Sequence, residues 1–104
     1  MAQFDLHSNP NPVTRDAVPY LLDVQADLLD ALATRMVIPL LPLAPGDRPI
    51  ERLNPVVEHD GRQMMLSTAE MAGVPLAALG DRAGSLSASR DDIVAAIDFL
   101  VCGI

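Results

Sequence analysis

The chain has 104 residues, and 7 basic against 14 acidic side chains give it a formal charge of −7 and a pI near 4.4. That balance repels phosphate backbones and leaves no basic stripe to release counterions, which argues against direct DNA or RNA binding by this chain alone. One cysteine cannot close an intrachain disulfide, and prolines or charges break every apolar stretch before the about 20 residues that a bilayer span needs.

Half of the residues are apolar but only 3% are aromatic and Trp is absent, so a core has to be built from Leu, Val, Ile, Ala and Met. So much apolar surface in a short chain favours a homodimer, in which a second copy covers what one copy cannot. Met1-Ala2-Gln3-Phe4-Asp5 has neither a basic nor an apolar leader segment. The expectation is a cytoplasmic, soluble protein without membrane association, folded as one domain over residues 1–104.

In chain order, Phe4 to His7 is a short strand candidate, and Ser8-Asn9-Pro10-Asn11-Pro12 is a turn-forming cluster expected as a mobile surface loop. From Pro19 to Gln25, alternation puts Tyr20, Leu22 and Val24 on one face and Leu21, Asp23 and Gln25 on the other, the period of a half-buried strand. Met36 to Leu40 behaves likewise, with Met36, Ile38 and Leu40 sharing a face; Pro39 suggests an edge position or a bulge. Leu41 to Pro49 carries Pro42, Pro45, Gly46 and Pro49 and reads as a second long loop. Val56 to Leu66 holds an Asp60-Gly61 pair between apolar runs, the chemistry of a tight hairpin turn. Val74 to Leu79 is another short strand candidate, closed by Gly80.

Only the last segment has a helical period, with Ile93, Ile97, Leu100, Val101 and Ile104 on one face. Ser89 supplies a hydroxyl cap, and Asp91 and Asp92 complement the helix dipole in the first turn. Short strands followed by one C-terminal helix predict a mainly β fold, a small antiparallel barrel. Cys102-Gly103-Ile104 closes the apolar stretch and is expected as an exposed contact surface.

Chemistry-bearing patterns are sparse. Asp23, Asp27 and Asp30 would align on a helix, but the alternation before them indicates strand, and they are expected to be solvated. With no His or Cys at ligand spacing, no metal is expected. His7 and His59 stand alone, no Gly-x-Ser-x-Gly elbow marks a nucleophilic serine, and no glycine loop cradles phosphate. Cys102 has no neighbouring cation to activate its thiol. No catalytic residue and no cofactor are expected. Leu28-Leu29 has two readings, a buried turn or an exposed contact, because adjacent residues on an extended segment point to opposite sides.

Asp23-Val24-Gln25-Ala26-Asp27, Arg35-Met36-Val37-Ile38-Pro39-Leu40, Asn54-Pro55-Val56-Val57, Met64-Met65, Met71-Ala72-Gly73-Val74-Pro75 and the final Gly-Ile follow one another in this order. In that order they resemble the CcdB family, toxins of the CcdA–CcdB toxin–antitoxin pair. The resemblance implies an SH3-like barrel forming a homodimer. It also implies a toxin that inserts between the arms of the GyrA subunits of DNA gyrase and traps the enzyme on cut DNA.

Carried over position by position, the implied gyrase contacts are Leu28, Leu29, Asp98, Val101, Cys102, Gly103 and Ile104. Asp98 stands where the family usually has asparagine, Val101 where it has phenylalanine, and Cys102 where it has tryptophan, a residue type that often anchors interfaces. A CcdA-like antitoxin is implied to contact Ser8, Asn9, Asn11 and Arg15, together with Leu43, Asp47, Arg48 and Ile50. DNA would be held only indirectly, through the antitoxin during operon repression. Two alternatives stand beside this reading: a retargeted, non-poisoning homologue acting in antitoxin binding and co-repression, and a MazF/Kid-like endoribonuclease toxin on the same barrel.

Overall fold

The structure, a computed structural model, describes residues 1–103; Ile104, one of the implied contacts, lies outside the described residues. Alternation makes the centre of the sheet. On β1 (Asp5–Ser8), β2 (Tyr20–Asp23) and β3 (Thr34–Pro42), the antiparallel register sets Leu6 opposite Leu22 and Leu22 opposite Ile38, and all three are fully buried. β4 (Val56–His59) and β5 (Arg62–Leu66) form a hairpin in which His59 faces Arg62 across a two-residue loop. That loop is Asp60-Gly61, with φ of 55° and 76°, the two positive values that let a tight turn follow the strand twist.

β6 (Ala72–Pro75) and β7 (Arg82–Ser85) complete a seven-stranded antiparallel sheet in the order β4-β5-β3-β2-β1-β7, with β6 on β3. The sheet curls into a half-barrel over a core of Phe4, Leu6, Leu22, Val24, Ile38, Leu40, Met64, Leu66, Leu86 and Ile93. Helix α1 (Arg90–Cys102) follows and contributes Ile93 and Ala96 to the interior. Gly103, at φ 72°, ends it by donating its N–H to Phe99 O at 2.9 Å, a left-handed cap that favours glycine. The expected mainly β barrel with a C-terminal helix is thus the observed architecture. No helix among the described residues is long and apolar enough to cross a membrane.

Several local expectations are corrected. The first strand is Asp5–Ser8, one residue later than expected, because Phe4 takes a left-handed φ of 69°. Pro39 is neither at an edge nor in a bulge; β3 is central. Val24 N–H bonds Met36 O, which makes 24/36, 22/38 and 20/40 the bonded pairs and turns Pro39 away from β2. On its other side β6 pairing ends at Val37 and β5 pairing begins at Leu40, so the missing donor falls at the handover. Met36 lies beyond the core and is exposed rather than buried with Ile38 and Leu40.

The strand expected over Val74 to Leu79 is instead Ala72–Pro75 followed by a 3-10 turn, Leu76–Ala78. β7 has no counterpart among the expected strands, since Arg82-Ala83-Gly84-Ser85 carries no alternation. Ser89 precedes α1 but makes no side-chain cap bond.

Candidate functional site

The segment between β2 and β3 is shaped by the side chains that flank it. Asp23, expected to be solvated, is fully buried: its Oδ2 accepts bonds from Arg35 Nε at 3.0 Å and Nη2 at 2.6 Å, and its Oδ1 accepts from Gln25 N at 3.0 Å. The carboxylate is solvated by guanidinium and backbone instead of water. Gln25 then bridges the segment, its Oε1 accepting from Met36 N at 3.0 Å and its Nε2 donating to Leu29 O at 2.8 Å. Asp27 Oδ1 accepts from Gln3 N at 2.7 Å.

These bonds use side chains that would otherwise favour water, so the chain between them closes as a 3-10 turn, Asp27–Leu29, with no buried residue. Leu28 is 92% exposed and Leu29 49%. The buried-turn reading of Leu28-Leu29 is overturned. Leu32, whose N–H reaches Leu29 O, is exposed beside them, a neighbour that the sequence pattern did not mark. Isolated exposed leucines are ordinary; here three share one hydrogen-bonded turn as an exposed apolar patch.

The other implied contact group lies at the end of α1. Asp98, Val101, Cys102 and Gly103 are all exposed, Val101 at 71%. α1 packs mainly on the 3-10 turns Thr68–Glu70 and Ser87–Ser89. No hydrogen bond or ion pair among the described residues joins its end to Leu28-Leu29 in one copy.

The two implied antitoxin segments form separate surfaces. Ser8 ends β1, and the loop after it is tied to itself rather than open. Asn9 Nδ2 donates to Thr14 Oγ1 at 3.0 Å and Val18 O at 2.9 Å, Asn9 Oδ1 accepts from Asn11 N at 3.1 Å, and Asn11 Oδ1 accepts from Val13 N at 2.9 Å. Asn11 and Arg15 are exposed, whereas Ser8 and Asn9 are half-buried. Gly80 backs this loop: its N–H bonds Ser8 O at 2.8 Å, and a Cβ there would overlap Ser8 Oγ. An open pocket of about 520 Å³ is lined by Asn9, Pro10, Asn11, Thr14, Val18, Leu21, Ala77 and Ala78.

In the second segment Asp47, Arg48 and Ile50 are exposed and Leu43 is half-buried. Asn54 accepts from Ile50 N at 2.9 Å and donates to Leu66 O at 3.0 Å, fixing the loop to β5. Arg52, at φ 71°, lays its guanidinium 4.8 Å over the Phe99 ring and so ties this loop to α1. A smaller pocket of about 250 Å³ there is lined by Arg52, Pro55, Val56, Asp92 and Ala95.

Among the described residues no group of three or more His, Cys, Asp or Glu is placed to hold a metal. The exposed leucine turn and the end of α1 offer apolar contact.

Comparison with known proteins gives the family. A family model described as "CcdB protein" matches residues 3–103. Among solved structures, a mycobacterial endoribonuclease in complex with its cognate antitoxin aligns with a TM-score of 0.76 at 12% identity, over 97% of this chain and 94% of that one. The Mycobacterium tuberculosis toxin MazF-mt6 aligns with a TM-score of 0.65 at 17% identity, over 93% of this chain and 95% of that one. At these identities the structural likeness establishes a shared fold.

Proposed function

This chain belongs to the CcdB family, toxins of toxin–antitoxin pairs, and from that membership we propose that it binds the GyrA subunit of DNA gyrase and traps the cleaved DNA complex. It acts by contact, without bond-making chemistry of its own. The observation that carries this reading is the exposed Leu28-Leu29 turn, held on a scaffold made by the same Asp23, Gln25, Asp27 and Arg35 that carry the family resemblance. A pre-formed apolar turn loses little conformational freedom on docking, which favours affinity. The exposed end of α1, with Asp98, Val101, Cys102 and Gly103, supplies the second contact, and Ile104 is assigned to it by the resemblance.

The same proposal includes a homodimer in the cytoplasm, one domain spanning residues 1–104, and a CcdA-like antitoxin seated on the loops around Ser8–Arg15 and Leu43–Ile50. The charge of −7 supports leaving DNA contact to the antitoxin. The test is a pull-down with the GyrA arm domain, alongside expression in a gyrase-sensitive bacterium. Capture of the arm and protein-linked DNA breaks support the proposal. Growth arrest with cleaved RNA and intact DNA refutes it in favour of a ribonuclease, the second reading that the endoribonuclease fold relative motivates. Tight antitoxin binding without toxicity favours the retargeted homologue, for which the missing aromatic anchor at Cys102 is the specific observation.

A further inference from the structure

Resting on the antitoxin reading above, we infer that the pocket between the Asn9–Val18 loop and the Leu76–Ala78 turn receives an uncharged aliphatic or aromatic side chain from a basic segment of the antitoxin. The pocket, of about 520 Å³, falls within the about 300–1,000 Å³ common for ligand sites. Its lining contains no ionisable side chain. Leu21, Pro10, Val18, Ala77 and Ala78 give it an apolar floor and walls, and a charged group entering it would lose hydration without a counter-charge.

Three of the four side-chain amide atoms that line it are already hydrogen-bonded. Asn9 uses both ends of its amide on Thr14, Val18 and Asn11, and Asn11 Oδ1 holds Val13 N. A small polar metabolite would find few free groups to orient it, whereas an apolar side chain needs none. The other loop's pocket differs in this respect, because Arg52 and Asp92 line it. The two sites therefore select different side chains, and the first is the apolar anchor.

Charge sets the surroundings of that anchor. Asp16 is exposed on the loop between Thr14 and Val18, and Asp81 is exposed where its carbonyl accepts from Ser8 N at 2.9 Å. Arg15 and Arg82 are the basic neighbours, Arg82 being paired with Asp5 at 3.2 Å, and the chain as a whole carries −7. Lys or Arg flanking the anchor is attracted over a distance and released by salt.

Overlapping synthetic peptides covering the protein encoded beside this gene, together with that whole protein, are titrated against the dimeric toxin at low and high salt. The peptide that binds should contain an aliphatic or aromatic residue flanked by Lys or Arg, and should weaken as salt rises. Ala77→Trp, which fills the pocket from an exposed position, should weaken it by about tenfold or more, while Ala77→Ser leaves it unchanged. Melting curves and circular dichroism establish that both variants fold. Pro10→Trp fills the pocket from the opposite wall and decides the matter if Ala77→Trp misfolds.

Equal binding of the neighbour protein to wild type and both filled variants overturns the inference and leaves the antitoxin reading standing. An acidic or wholly polar binding peptide also overturns it. Failure of the whole neighbour protein to bind wild type removes the antitoxin reading itself. A dimer lost on filling the pocket assigns the pocket to a second copy and likewise overturns the inference.

Discussion

The imidazole of His59 lies directly on the backbone of Gly84: a Cβ placed on Gly84 would stand 2.8 Å from His59 Cε1. The two residues belong to β4 and β7, at opposite ends of the strand order, so their contact closes the half-barrel across its open side. The Tyr20 ring meets the same imidazole edge-on at 4.8 Å. Gly84 also has φ 154°, a conformation costly for any L side chain. Gly84→Ala should therefore destabilise the fold by about 1–3 kcal/mol, from overpacking and backbone strain together. Urea unfolding measures it. Adding His59→Ala should recover part of that loss by removing the clash but not the strain, and simple additivity would show that the two residues do not meet.

The Asp23–Arg35 pair is the second structural test. Both side chains are at most 1% exposed, and the shorter contact is 2.6 Å. Removing one partner leaves the other charge buried without compensation, so Arg35→Met should cost about 3–5 kcal/mol. Replacing both with apolar residues should cost less than Arg35→Met alone. Thermal melts of the two variants and the wild type give the comparison, and a milder single variant than double would overturn the buried-pair account.

The parts legible in the sequence are those decided locally. Asp60-Gly61 fixes its turn by the φ values it tolerates, and Leu22, Ile38 and Leu40 follow strand alternation onto the core face. The missed parts are decided at a distance. Nothing near Asp23 announces Arg35, which lies twelve positions on and reaches it only after β2 and β3 pair. β7 forms because β1 offers it an edge and His59 needs room above Gly84, not because Arg82-Ala83-Gly84-Ser85 has strand character. In the candidate site, the resemblance marks Leu28 and Leu29, but their exposure is set by bonds from Gln25 and Asp27 that spacing alone does not reveal.

Leu28 gives a clean separation of binding from folding. At 92% exposed it contributes little to the core, and surface substitutions usually change stability by within about 0.5 kcal/mol. Leu28→Asp should leave the melting temperature nearly unchanged while weakening capture of the gyrase arm by on the order of 2 kcal/mol, roughly thirtyfold. Calorimetry with the purified arm domain measures the affinity. Undiminished binding by a folded Leu28→Asp protein would remove this turn from the interface.

Cys102 tests the proposed contact at the end of α1 by gain rather than loss. It is exposed in the last turn of α1, next to a glycine cap that fixes the direction in which the helix ends. A cysteine offers a small apolar contact, whereas an indole at the same place adds area and a hydrogen-bond donor. Cys102 is exposed, so an indole there points to solvent rather than into the packed interior. Cys102→Trp should therefore raise affinity for the gyrase arm by about tenfold or more, since losing such an anchor commonly costs at least about 2 kcal/mol. The same variant should sharpen growth arrest on expression, and Val101→Phe should act in the same direction. A folded Cys102→Trp protein with unchanged affinity would mean that this end of the helix does not meet gyrase, and would shift the retargeted reading ahead of poisoning.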